Sequence, residues 1–177
     1  MHGRVLRIGT VAVAVGLLFA GSAQARKITL TLNKSKALTS DVQSYTFGAS
    51  NVSTIGSGTG GAGTGKAKFD NLEVVKGVDG TTTDVLTHLT NGTHYDNASL
   101  TLTSGPFKVT YCFQLVFPVG DHQTSSSEDS AIDETVNFAF GSVTQKVGLT
   151  AFTWNVITND TDEDVCTTPS AGGGSRR

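Results

Sequence analysis

Apolar and polar residues alternate along most of the chain beyond position 26. Ile28, Leu30 and Leu32 interleave with Thr29 and Thr31, a period of two that predicts a strand with one buried face. A second stretch ends in Tyr45 and Phe47. After a glycine-rich segment, positions 66–76 alternate imperfectly: Phe69 is followed by Leu72 and Val74, as a slip of one residue or a bulge produces. Ala98, Leu100 and Leu102 form the next apolar face. Ser104, Gly105 and Pro106 then turn the chain into its longest clean alternation, Val109, Tyr111, Phe113, Leu115 and Phe117. Val136, Phe138 and Phe140 predict a further strand, and Phe152, Trp154 and Val156 the last.

One segment has helical character instead. Hydroxyls at 81–83 offer an N-terminal cap, Val85, Leu86 and Leu89 make a one-sided apolar face, and Gly92 after Asn91 is a stop signal. Seven or so strands, one helix of about two turns, three prolines and closely spaced turn signals predict a mainly β fold. Its form is a small antiparallel β-barrel, closed or nearly so, with one short flanking α-helix, in preference to a parallel α/β sheet.

The ends of the chain stand outside this pattern. Arg4 and Arg7, the apolar run 11–20 and the small-residue site Ala23-Gln24-Ala25 have the order of a secretory signal peptide over residues 1–25, with cleavage expected after Ala25. No later stretch approaches the roughly 18 apolar residues of a membrane helix, so no membrane attachment is expected once the leader is removed. Residues 26–158 form the expected barrel domain. From 159 the chain is acidic, then Gly/Ser-rich, and 159–177 reads as a disordered tail. The 177 residues carry a formal charge of −2, and loss of Arg4 and Arg7 leaves 11 basic against 15 acidic residues. That balance supplies no basic field for a nucleic-acid backbone. Export would expose Cys112 and Cys166 to an oxidising compartment, which makes them a candidate disulfide pair.

Residues 56–66 contain two formal nucleotide motifs. Gly56, Gly58 and Gly61 fit G-x-G-x-x-G, and residues 60–66 fit G-x-x-x-x-G-K. Both require a helix to follow, because its N-terminus holds the phosphate. Here the following residues alternate as a strand, and Ala67 stands where the metal-holding hydroxyl belongs. A flexible or assembly loop built on Gly56, Gly58, Gly60, Gly61, Gly63 and Gly65 is the better reading, with no cofactor expected. His88, His94 and His122 show no metal or catalytic spacing, and no serine sits in a G-x-S-x-G elbow. No catalytic and no metal residues are therefore assigned. Asp160, Asp162 and Asp164 echo the start of a calcium loop without its glycine or closing glutamate.

The same segments resemble the haemolysin-coregulated tube proteins (Hcp) of type VI secretion. The resemblance rests on Phe47-Gly48 before the glycine-rich loop closing on Lys66, and on the strand Asn71-Leu72 to Lys76. It continues through Lys76-x-x-Asp79, Thr81-Thr82, Val85-Leu86 and Gly92-x-His94, then Glu134-x-Val136-x-Phe138-x-Phe140-Gly141-x-Val143, and ends at Trp154-Asn155. It spans about residues 27–158. Gly80, Thr83, His88-Leu89 and Thr93 depart from the family's usual residues. The resemblance implies a non-enzymatic barrel whose copies close into a ring, six in the family, with secretion-machine components or effectors as further partners. The leader adds an expectation of a secreted, periplasmic or extracellular protein. Two other readings stay open: a secreted ligand-binding barrel, and a secreted hydrolase using His94 with a nearby Asp or Ser.

Overall fold

The computed structural model describes residues 26–51, 53–54, 63–127 and 131–166. The expected leader 1–25, Gly56, Gly58, Gly60 and Gly61 of the loop, and residues 167–177 lie outside the described residues. The elements run β1 (Lys27–Asn33), β2 (Ala37–Thr46), β3 (Ala49–Ser50), β4 (Ser53–Thr54), β5 (Gly63–Thr64), β6 (Lys68–Phe69) and β7 (Leu72–Gly77). There follow α1 (Thr82–Asn91), β8 (Tyr95–Ser104), β9 (Phe107–Thr124), β10 (Asp133–Ala139), β11 (Ser142–Val147) and β12 (Thr150–Asn155). Every pairing among the described residues is antiparallel. Among the described residues the order β10-β7-β2-β1-β8-β9, with β9 pairing back onto β10, closes a cycle of six strands; β11 and β12 extend outward from β9. The fold is thus mainly β with one short helix, as the alternation predicts.

The period of two explains the interior. Ile28, Leu30 and Leu32 of β1 are buried, as are Leu72 and Val74 of β7, Ala98 and Leu100 of β8, and Val136 and Phe138 of β10. Their neighbours on each strand face outward, so side chains fill the space inside the wall. The slip around Phe69 is real and has a cause: Asp70 and Asn71 interrupt the strand, leaving β6 paired to β3 while β7 pairs with β2 and β10.

Two expectations about single elements are corrected. The alternation 109–117 does not stay on one face, because Leu115 takes a left-handed backbone (φ 54°) and the strand reverses there. Tyr111 and Phe113 point inward, Leu115 stands exposed, and Val116 and Pro118 point inward again. This bend lets one strand serve two partners on the same side, β11 over its first half and β10 over its second. In the helix, the Thr81 hydroxyl makes no capping bond. Asp79 provides the turn instead, accepting from the Thr81 N–H at 2.8 Å and the Thr81 hydroxyl at 2.7 Å. Gly92 closes the helix at φ 64° as expected.

Residues 159–166, read from composition as the start of a disordered tail, are packed against the barrel. Val165 is buried and its N–H donates to the Thr144 hydroxyl at 3.1 Å. The Thr153 hydroxyl donates to the Asp162 carbonyl at 2.6 Å, and Lys146 meets Asp164 at 2.6 Å. The acids that made the segment look solvated are what bind it to the hydroxyls and lysine on the outer face of β11 and β12.

Candidate assembly surface

The excursion 47–69 leaves the barrel between two phenylalanines. Phe47 and Phe69 lie 6.2 Å apart by ring centroids. Phe47 also meets Tyr111, Phe113 and Phe140 at 5.3–5.9 Å, and Phe69 meets Phe140, Phe152 and Trp154 at 6.4–6.5 Å. Aromatic pairs at these spacings each add about 0.5–1.5 kcal/mol beyond burial, so the base of the excursion is held rigidly against β9 and β12. The Asp70 N–H donates to the Gly48 carbonyl at 3.0 Å, and a Cβ on Gly48 would stand 2.9 Å from Asp70 Oδ2. Beyond the clamp, β3 pairs with β6 and β4 with β5 in two short ribbons; Gly63 lies in β5 and Gly65 is exposed just after it. Lys66 is exposed and is followed by β6 and β7, so no helix N-terminus stands behind it for a phosphate.

Where the helix meets the wall, the residues that carry the family resemblance converge. Lys76 and Glu134 are both buried, and Lys76 Nζ lies 2.5 Å from Glu134 Oε2. The ammonium also donates to Asp79 Oδ1 at 3.0 Å and to the Thr82 hydroxyl at 3.2 Å. Thr82 donates to Glu134 Oε2, and Ser40 and Thr81 join hydroxyls at 2.8 Å. Strand register places Glu134 directly opposite Lys76 across β10 and β7. The cluster ties β2, β7, β10 and α1 together, and such a network is favourable only when every charge has partners. Asp121 of β9 leans on it: burial pushes its carboxyl up, and the neighbouring Glu134 pushes it further.

Asp79 behaves in the opposite sense. Burial would raise its carboxyl, but hydrogen bonds from the Thr81 side chain and backbone, and from Ser40 and Lys76, outweigh it and hold the carboxyl at about 2. A carboxyl depressed in the folded state favours folding above its unfolded value near 3.9, and that contribution disappears as pH falls from about 4 to about 2. Asp79→Asn should therefore flatten the acid limb of the stability–pH curve over that window. Urea melts of both proteins at pH 2 to 6 check this, and parallel curves would contradict it.

His88, His94 and His122 occupy separate environments. His88 stacks on Tyr95 at 4.2 Å and places Nδ1 2.9 Å from the Asp84 carbonyl, while the Tyr95 hydroxyl donates to Asp84 Oδ2 at 2.7 Å. His94 packs on Phe117 at 5.0 Å and sits 3.9 Å from Asp96, and His122 is exposed on β9. No group of three or more metal-ligating side chains occurs among the described residues. Asp162 accepts from Ser142 and Asn155, with the Ser142 hydroxyl holding its carboxyl below the usual range, and Lys146 does the same for Asp164. Cys112 and Cys166 are joined, their Cα atoms 5.2 Å apart.

Among the exposed apolar side chains of the described residues, two groupings flank β11. At one end of the sheet, Val147 and Leu149 on the β11–β12 turn stand beside Phe107 on the β8–β9 turn, Leu149 fully exposed. At the β9 bend, Leu115, Phe117, Ala139, Phe140, Gly141 and Ile157 line a notch of about 180 Å³. Neither was legible as a site in the sequence. Leu149 lies outside every alternating run, and the notch exists only because Leu115 turns outward.

The family described as type VI secretion system effector, Hcp, matches residues 31–147. Among solved structures, one described as a type six secretion system protein is 23% identical; the match covers 78% of this chain and 100% of that one, with a TM-score of 0.69. Hcp1 from Salmonella typhimurium is 19% identical, covering 78% of this chain and 99% of that one, with a TM-score of 0.64. A type VI secretion system effector from Yersinia pestis is 15% identical, covering 73% and 99%, with a TM-score of 0.59. Curated proteins give no match.

Proposed function

Because the chain belongs to the Hcp family of type VI secretion proteins, we propose that it is a non-enzymatic structural subunit whose copies close into a ring of six, exported with its leader removed after Ala25. The observation that carries this reading is the match over residues 31–147. The buried cluster supports it, because Lys76, Asp79, Thr81, Thr82 and Glu134 are the residues of the resemblance and are spent on contacts that hold the scaffold together. The exposed apolar features suit self-association, since a head-to-tail contact closes into a ring when its rotation closes. Export through the leader leaves open contact with secretion-machine components or effectors outside the cytoplasm.

Native mass spectrometry of the exported chain at micromolar concentration tests the reading. A hexamer whose N-terminal sequence begins at Arg26 is the expected result. A monomer as the only species would leave the fold standing and remove the tube role, and an apolar ligand carried by that monomer would favour the ligand-binding barrel. An intact Met1 on assembled protein would show that the leader stays and that assembly precedes export.

A further inference from the structure

We propose that the β11–β12 turn of one copy seats in the β9 notch of the next, with Leu149 as the inserted side chain. This contact rests on the ring reading above and names the two surfaces that would make it. Leu149 is fully exposed and Val147 half-exposed on this turn, and Phe107 at the start of β9 is 76% exposed, so this end of the sheet presents three apolar side chains to water. A soluble domain gains nothing from such a cluster unless something covers it. The notch has the matching character, lined by apolar groups and roomy enough at about 180 Å³ for an aliphatic side chain.

The notch is also a built feature. Leu115 holds φ 54°, a conformation that is costly for a residue with a branched side chain. Gly141 faces it so closely that a Cβ there would stand 3.2 Å from the Leu115 Cβ and 3.1 Å from Ile157 Cδ1. Any other residue at 141 would crowd the floor of the notch. Ile157 forms its outer lip and is 71% exposed.

Charge and position select a second copy as the occupant. Arg26 and Lys108 are exposed at the turn end, whereas Asp96 and Asp160 are exposed near the notch: His94 links Asp96 to Phe117, and Asp160 bridges to Asn155 beside Ile157. A basic rim around the projection and an acidic rim around the recess orient one copy on another. The two surfaces lie at opposite ends of the six-residue strand β11, about 20 Å apart. Each copy thus offers a projection and a recess that cannot satisfy each other within one molecule, which is the condition for head-to-tail association.

Leu149→Asp and Ile157→Asp, made separately in the exported chain, test this with the parent and Thr87→Asp on the outer face of α1 as controls. All three altered side chains are exposed, so circular dichroism and melting temperature should match the parent. The expected result is that the parent and Thr87→Asp assemble, while each of the other two is monomeric, with affinity lowered on the order of 100-fold. Mixing Leu149→Asp with Ile157→Asp should yield a dimer, because the first retains a sound notch and the second a sound turn. Assembly of Leu149→Asp at the parent's concentration would overturn the contact and leave the ring reading intact. Two monomeric variants that fail to pair on mixing would also overturn it. A parent that is monomeric throughout would overturn both.

Discussion

Lys76→Met should cost the fold about 3–5 kcal/mol, the usual loss when one partner of a buried ion pair is removed. Lys76 is 1% exposed and Glu134 0%, so the carboxylate left behind has no route to water. Its remaining neighbours make matters worse. Burial, and after it the neighbouring Glu134, already raise the Asp121 carboxyl, and Asp79 loses the ammonium that bonds it at 3.0 Å. For a chain of this size the loss corresponds to a melting temperature lower by roughly 10 °C. Lys76→Met combined with Glu134→Leu should recover most of the deficit, because well-packed apolar residues often replace a buried pair without loss. Chemical denaturation of the parent, the single variant and the double variant decides the matter. A single variant within 1 kcal/mol of the parent would mean that the pair contributes little.

The strands that were legible in the sequence are those whose two faces differ. β1, β8 and β10 have core on one side and solvent or partial exposure on the other, and their period of two follows directly. β11 escaped notice because both its faces are covered: Val143 points into the barrel, while Ser142 and Thr144 are buried beneath the returning segment 159–166. A strand covered by hydroxyl-to-acid hydrogen bonds does not look apolar. The same contacts explain why composition mistook 159–166 for a solvated tail. The second half of β9 was lost at Leu115, where a single left-handed residue moves the pattern to the other face and no residue type announces it. His88 was hidden by chemistry alone. It sits three residues after Val85 on the buried face of α1, a position that helical spacing marks for an apolar side chain.

The site was less legible than the fold. Charge and motif arithmetic did not single out Lys76, Asp79 or Glu134, which are ordinary in type, with Glu134 58 positions from Lys76; only their place in the resemblance did so. Their use as one cluster depends on β7 and β10 lying in a register that pairs Glu134 with Lys76. The glycine-rich loop drew attention because glycine is conspicuous, yet the residues that fix its base are Phe47 and Phe69. Exposed apolar side chains at a turn carry no periodic signal, so surface contacts of the kind argued for Leu149 become visible only when the strands are closed and the two ends of the sheet can be compared.

Removing the bridge between Cys112 and Cys166 should have the second large effect. The two cysteines are 54 positions apart, and on the chain-entropy account a loop of that length restrains the unfolded chain by about 4 kcal/mol. In the folded state the bridge closes the segment 156–166 over β11 and β9, where Thr144 lies opposite Cys112 in register and is fully buried. Without the bridge that segment is held by Lys146 with Asp164, Ser142 with Asp162, and the Val165 N–H on Thr144. Surface ion pairs contribute little, near 0–1 kcal/mol each, so these contacts do not replace the covalent link. Cys112→Ala with Cys166→Ala is expected to lose about 3–4 kcal/mol against the oxidised parent. A dithiol reductant should lower the parent's melting temperature to that of the variant and leave the variant unchanged. The comparison also reports on the compartment, since a bridge of this kind persists where the surroundings are oxidising. Thiol titration of the exported protein after unfolding, without reductant, should find no free thiol. Two free thiols, or a variant as stable as the oxidised parent, would show that the segment is held by its hydrogen bonds alone.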